Sequence, residues 1–303
     1  ENRTREAAQA RAMPDFRDLQ LLVALARHQH FARAAEDCGI SQPAFSARIR
    51  NLEAELGAPV VRRGNRMTGL TPEGEIALKW ARRITADAQA LREEIAAARG
   101  SLSGVLTLGA VPTALAFAAE VAARLRAAHP KLAAQVHSLS SSRIHAGLDD
   151  QSLDAGLSYL DRETPERFRV TPLYDERYVL VAPPRLAPRT EGTARWTEAA
   201  ALPLCLLTRD MRNRRILDEI FAAHVGAAPE PVMETNAFTA ALAHVACGAA
   251  ATILPQRLSD TLAAPDLARL PLTEPQVTTP IGLVLPDRDP TPLAVAALER
   301  VLG

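Results

Sequence analysis

The stretch His30-Phe31-Ala32-Arg33-Ala34-Ala35-Glu36-Asp37-Cys38-Gly39-Ile40-Ser41-Gln42-Pro43-Ala44-Phe45-Ser46 decides how the first hundred residues are read. A short helix opens after His30-Phe31 and runs over Ala32–Asp37, and Gly39 ends it. Ser41 is placed as an N-cap, with Pro43 in the first turn, where a missing N–H costs nothing. The next helix carries Phe45, Ile49, Leu52 and Leu56 on one apolar face and closes at Gly57. Two helices joined by a short glycine-containing turn form the helix-turn-helix pattern. The polar face of the second helix presents Gln42, Ser46, Arg48 and Arg50, groups suited to base edges and phosphates.

Outward from that pair, Phe16, Leu19, Leu22, Val23 and Leu25-Ala26 repeat at helical spacing after Pro14-Asp15. Downstream, residues 58–70 read as short extended pieces around a Gly-Asn turn, a β-wing with Arg62, Arg63 and Arg66 near its tip. An arginine there suits the negative potential of a narrow minor groove. Thr71-Pro72-Glu73-Gly74 then starts a long helix, with Thr71 as N-cap and acidic residues in the first turn. In it Ala77, Ala81, Ile84, Ala88, Leu91, Ile95 and Ala98 alternate spacings of four and three, an a/d seam that predicts helix-helix dimerisation. An amphipathic helix facing its own core is the competing explanation.

The composition supports two domains rather than disorder: 303 residues, 48% hydrophobic, 23% charged, net charge zero. The charge is uneven. Residues 1–100 hold 16 Lys+Arg against 13 Asp+Glu, and the remainder 19 against 22. Basic charge concentrates between Gln42 and Leu70, with five Arg against two Glu, which points to contact with a polyanion, although by itself a solvated charged face is the favoured reading. No window approaches the apolar length of a membrane span. The N-terminal twelve residues are polar, without a secretory apolar core, so a cytoplasmic address is expected and Met13 is a candidate natural start. Cys38, Cys205 and Cys247 are too few for a disulfide framework or a four-ligand zinc site, and neither a metal nor another cofactor is expected.

The segment Gly100-Ser101-Leu102-Ser103-Gly104 reads as a linker, after which the periodicity changes. Strands at Val105–Val111, Ala133–Leu139 and Asp154–Leu160 alternate with helices at Thr113–Ala128 and Ser141–Leu148, a βαβαβ order that implies a parallel sheet. A second unit begins near Phe168, with strands at Phe168–Leu173, Arg177–Ala182, Leu204–Leu207, Pro231–Glu234 and Ala251–Leu254 and helices at Met211–Val225 and Ala237–Cys247. Strands near Ala268–Leu272 and Ile281–Leu285 and a last helix Pro292–Leu302 complete the chain.

Taken in order, His30 through Ala35, Ile40 through Ser46, Ile49, Leu52 through Gly57, Pro59 through Arg66 and Leu70 through Gly74 resemble the LysR-type transcriptional regulators. His129-Pro130, Leu153 through Leu157, Gly248 through Ala251 and Leu254-Pro255 extend the resemblance over the whole chain. Two positions depart from the family pattern. Ala47 precedes Arg48 where an arginine usually follows the recognition-helix serine directly, and Val60-Val61-Arg62-Arg63 replaces a Leu-Phe-Glu-Arg-like piece.

The resemblance implies an α/β protein: a winged helix-turn-helix over 13–71, a linker and dimerisation helix over 72–100, and a two-lobed, periplasmic-binding-protein-like effector domain over 101–303. Lobe I is expected over about 105–161 and 266–303, and lobe II over about 168–265. The implied partners are promoter double-stranded DNA, a small-molecule effector and further copies of the chain, as a dimer and usually a homotetramer. DNA contacts are expected from Gln42, Pro43, Ser46, Arg48, Arg50, Arg62, Arg63 and Arg66.

Two-lobed α/β domains bind small molecules between the lobes, at strand ends and helix N-termini. Pro112-Thr113-Ala114 and Ser140-Ser141-Ser142 each follow a strand and start a helix, an arrangement suited to an anion. Thr208 and Arg209 end a strand of the second lobe, and family analogy maps effector contacts onto Thr113, Ser141 and Thr208. No HExxH, GxSxG or GxGxxG is present, so a regulator rather than an enzyme is expected. One alternative is a redox sensor using Cys205 and Cys247. Each of these lies in an apolar run, PLCLL and VACGAA, where buried structural cysteines belong. A solute-binding protein is the remaining, weaker alternative.

Overall fold

The computed structural model describes residues 13–63, 67–98, 102–162, 164–189, 192–288 and 290–303. The chain divides into two compact units, the first comprising residues 1–100 with 150–152 and the second 101–149 with 153–303.

In the first unit, α1 (Phe16–His28), α2 (Phe31–Asp37) and α3 (Gln42–Leu56) precede a two-stranded antiparallel ribbon, β1 (Val61–Arg63) and β2 (Met67–Leu70), and the long α4 (Pro72–Ala98). Capping sets the boundaries. The Asp15 carboxylate accepts from Arg17 N–H at 2.7 Å, and Ser41 Oγ accepts from Ala44 N–H at 3.4 Å. Gly57 closes α3 in the left-handed region at φ 68°, where a Cβ would be strained. Thr71 caps α4 by accepting from Gly74 N–H at 2.9 Å and donates to the Pro59 carbonyl at 2.6 Å. At Gly74 a Cβ would stand 2.0 Å from the Val60 carbonyl oxygen, so only glycine lets α4 start against the ribbon.

Leu21, Leu22, Leu25, Phe45, Ile49, Leu52 and Val60 are wholly buried in this unit's core, and Phe31 meets Phe45 edge-on at 5.9 Å. The expected apolar face of α3 ends one residue early, because Leu56 is exposed at the rim.

The second unit is built on a path of strands, β4 (Leu132–Ser138), β3 (Gly104–Ala110), β5 (Ala155–Tyr159), β12 (Thr278–Pro286), β6 (Phe168–Ala182), β11 (Ala268–Thr273) and β7 (Ala194–Arg195), with β10 (Thr252–Pro255) also on β6. The pairings β3–β4 and β3–β5 are parallel, as the βαβαβ order predicts. With α5 (Leu115–Ala128), α6 (Ser141–Asp149) and α11 (Leu293–Leu302) they form lobe I.

Two expectations are corrected here. The strands expected at Phe168–Leu173 and Arg177–Ala182 are one continuous 15-residue strand, β6. From Phe168 to Arg177 it pairs with β12 in lobe I, and from Tyr178 to Ala182 with β10 and β11 in lobe II, so β6 crosses between lobes. The strand near Ala268–Leu272 belongs to lobe II, because β11 pairs with the last part of β6 and with β7. The reason is that neighbouring sequence does not dictate which strand an edge will meet. Lobe II is completed by α7 (Trp196–Ala200), β8 (Cys205–Leu207), α8 (Arg212–His224), β9 (Met233–Thr235), α9 (Phe238–Ala246) and α10 (Gln256–Leu262). The short α7 and α10 are not anticipated by the sequence reading.

Candidate DNA interface and effector cleft

The start of α3 presents Gln42 and Pro43 to solvent, with Ser46 half-buried one turn on and Arg50 exposed. Two elements hold that face rigid. Phe45, Ile49 and Leu52 lock the opposite side of α3 into the core. Glu53 Oε1 accepts from Val60 N–H at 3.0 Å and Val61 N–H at 3.2 Å, which ties the helix to the ribbon.

Arg48 has a different place from the one expected of it. Its guanidinium is ion-paired with Asp18, which is buried in α1, and lies 3.2 Å from Asp15. Hydrogen bonding to Asp18 raises the guanidinium's pKa further, so its charge is committed to holding α1 on α3. Position on the polar side of the helical wheel does not reveal a carboxylate reaching over from another helix. Arg62 is exposed on β1, whereas the Arg66 assignment and the Arg63 side chain lie outside the described residues.

The seam of α4 divides. Ala77 and Ala81 pack into the unit's own core, and Leu78 joins them. Beyond that point Ile84, Leu91 and Ile95 are 40%, 58% and 51% exposed, and Trp80 and Ile76 are also exposed. Trp80, Ile76 and Ile84 continue into an apolar groove of about 470 Å³ with Met13, Phe16, Leu19 and Leu56. The first part of the seam is therefore intramolecular, and the second is an apolar stripe that stays exposed among the described residues.

In the second unit a small cleft opens between the lobes, where strand ends meet helix starts. Lobe I contributes Val111, Pro112, Ser140, Ser141 and Tyr159, and lobe II contributes Leu207, Met211, Arg212 and Asn213. Helices α6 and α8 both begin here, which brings two first turns to the cleft, although in α6 the Arg143 N–H is already bonded to Ser140 Oγ at 3.4 Å. Pro112–Ala114, by contrast, is a 3-10 turn whose Ala114 N–H is already bonded to the Val111 carbonyl at 2.9 Å. The helix start expected at Thr113 thus lies later, at Leu115.

Thr113 is 1% exposed, and its hydroxyl sits 2.9 Å from the Tyr159 hydroxyl rather than capping a helix. The Tyr159 hydroxyl also lies 3.5 Å from Glu176 Oε1 on β6. Burial raises the Glu176 carboxyl to about 8, opposed by hydrogen bonds from Thr113 and Tyr159, so it is neutral at pH 7. Burial and the neighbouring Glu176 push the Tyr159 phenol well above its usual value. The floor beside the cleft is accordingly a protonated, hydrogen-bonded cluster that does not repel an anion.

Ser141, 6% exposed, accepts from Ser158 Oγ at 3.2 Å, while Ser140 and Ser142 lie 3.1 Å apart and Ser142 is exposed. Thr208 has a buried hydroxyl without a hydrogen-bond partner. Arg209 is displaced from its expected place: it is exposed, 3.9 Å from Glu230 at the surface. The cleft arginine is Arg212, which bonds Asp161 at 2.7 Å and Glu219 at 2.9 Å.

The sequence reading misses Tyr159, Glu176, Arg212 and Asn213. The strand-end rule that picked Thr113 and Thr208 also covers Tyr159, the last residue of β5, and Asn213, in the first turn of α8. Glu176 sits in the charged run Asp175-Glu176-Arg177, whose other two members are exposed, so no local signal marks it.

The cysteines are free. Cys205 is wholly buried and its thiol is raised by burial, whereas Cys247 is exposed at the end of α9. Among the described residues no cluster of metal-ligating side chains is found, and no helix is long and apolar enough to cross a membrane.

Comparison with known proteins agrees with this fold. Residues 16–75 match the bacterial regulatory helix-turn-helix protein model of the lysR family, and residues 99–303 match the LysR substrate binding domain. The hydrogen peroxide-inducible genes activator of Dickeya chrysanthemi is 36% identical over 163 residues, 54% of this chain and 53% of that protein. The DNA-binding transcriptional dual regulator OxyR of Escherichia coli is 35% identical over 167 residues, 55% of this chain and 54% of that one. The chain thus spans about half the length of the curated relatives it matches.

Over nearly the full chain, a full-length OxyR cysteine variant from Pseudomonas aeruginosa superposes with TM-score 0.76 at 24% identity, covering 96% of this chain and 98% of its own. Full-length CbnR complexed with its target DNA gives 0.71 at 24%, covering 95% and 98%. With a helix-turn-helix model and a substrate-binding-domain model matched in succession along its length, the chain belongs to the LysR family of bacterial regulators.

Proposed function

We propose that the protein is a DNA-binding transcriptional regulator, not an enzyme, acting in the cytoplasm and controlled by a small anionic effector taken up between the lobes of its second unit. The observation that carries this is the cleft itself. Two helix N-termini converge there beside a buried, unpartnered Asn213 carboxamide, and the nearby acidic group is held neutral. Effector binding acts on DNA affinity only through a difference in affinity for two lobe arrangements.

DNA is read by Gln42, Pro43 and Ser46, with Arg50, Arg62, Arg63 and Arg66 as phosphate or minor-groove contacts. The exposed stripe Ile84–Leu91–Ile95 pairs two copies, and a tetramer is the usual family assembly. The test is selection of genomic fragments by the full-length protein, followed by a gel shift on the enriched site. Failure to enrich any sequence over bulk DNA refutes the reading.

A redox reading is favoured by the likeness to hydrogen peroxide-inducible activators. It meets a physical obstacle, since Cys205 lacks solvent access and its thiolate is disfavoured by burial. Titrating thiols with and without peroxide separates the two: a sensor loses two thiols without unfolding.

A further inference from the structure

Asn213 is 3% exposed, and its carboxamide approaches the Tyr159 hydroxyl, yet neither its Nδ2 nor its Oδ1 has a partner of good hydrogen-bond geometry. A buried amide left unpaired is costly, so a native site that keeps one has something to place against it. The neighbours are already engaged. The Tyr159 hydroxyl serves Thr113 and Glu176, Ser141 Oγ accepts from Ser158, and Arg212 is held by Asp161 and Glu219. Donors for an anion are plentiful here, in the first turns of α6 and α8 and in Asn213 Nδ2. What a plain carboxylate cannot provide is a donor for Asn213 Oδ1, which would face a second acceptor.

From this we propose that Asn213 is the specificity residue of the cleft and selects a small α-hydroxy acid, an anionic group with a hydrogen-bond donor on the adjacent carbon. The carboxylate takes the helix N-termini and Nδ2, and the hydroxyl donates to Oδ1. The space in the cleft is about 10 Å³, room for one water-sized group, so an α-hydroxy acid enters only if the lobes part. This inference rests on the cleft being the effector site.

The experiment is calorimetric titration of the full-length protein at pH 7 with glycolate, acetate and methoxyacetate. Methoxyacetate keeps the anion and an oxygen at the same carbon but cannot donate. Glycolate is expected to bind about tenfold more tightly than the other two, because a buried acceptor left unpaired discriminates strongly. In Asn213→Leu that preference is expected to fall to about one, with circular dichroism melting confirming the fold. Equal binding of all three to the wild type overturns the donor assignment and leaves the cleft reading intact. A glycolate preference that survives in a folded Asn213→Leu protein overturns the role of Asn213. No binding of any of the three overturns both.

Discussion

Arg212 and Asp161 face each other across the two lobes at 2.7 Å, with side-chain exposures of 12% and 18%. Asp161 follows the last strand of the first βαβαβ unit, and Arg212 opens the helix on the other side of the cleft. Glu219 provides a second carboxylate at 2.9 Å, so the guanidinium is more than neutralised without a ligand. The pair therefore acts as a latch between the lobes. Arg212→Ala should cost about 1–3 kcal/mol, less than a fully buried pair because water still reaches it. Urea unfolding of the full-length protein checks the loss, and small-angle scattering checks whether the second unit loosens.

Glu176 makes stability fall with rising pH. Its carboxyl is near its ordinary 4.5 in the unfolded chain and at about 8 when folded. Between those values the folded state binds more protons than the unfolded one, so each pH unit removes up to about 1.4 kcal/mol of stability. Below pH 4.5 and above about 8 this contribution is flat. Glu176→Gln should abolish the slope, and melting temperatures of both proteins between pH 5 and 9 provide the comparison. Parallel curves would mean that Glu176 ionises normally.

Gly74→Ala should unfold or severely weaken the first unit. The atom in the way is the Val60 backbone oxygen, which cannot rotate aside as a side chain would. A loss of more than about 3 kcal/mol is expected, in the range of severe overpacking or higher. Proteolysis or a thermal melt reads it directly, and an unchanged melt contradicts the close approach.

Charge substitutions along α4 should separate its two faces. Leu91→Asp and Ile95→Asp lie on exposed positions, so the chain should stay folded while self-association weakens. Ala81→Asp enters the first unit's own core and should lower its melting temperature instead. Sedimentation velocity alongside circular dichroism distinguishes these outcomes. Oligomers of unchanged size in the first two variants count against the seam.

The DNA contacts divide in the same way. Gln42→Ala and Ser46→Ala should relax sequence preference, and Arg66→Ala should flatten the salt dependence by about one phosphate equivalent. Arg48→Ala should instead destabilise the first unit, because its partners are Asp18 and Asp15. A salt-slope change in Arg48→Ala without loss of stability would restore that arginine to the DNA face.

The sequence by itself determined the helix-turn-helix, the ribbon, the long helix and the alternating strands of lobe I. Those features rest on local signals: the Ser41 and Thr71 caps, the Gly57 stop, and apolar periodicity over contiguous residues. Of the residues that the strand-end rule picked, Pro112, Ser140 and Ser141 line the small space between the lobes, whereas Thr113 and Thr208 do not. Only the tertiary structure decided which polar groups meet. Arg48 turned out to serve Asp18, Arg209 the surface and Arg212 the latch, each through a partner on another element. Glu176 and Asn213 gain their character from burial, which no local spacing records. Likewise, β6 crosses both lobes because its two parts find different partners, an outcome of long-range pairing and not of the fifteen residues themselves.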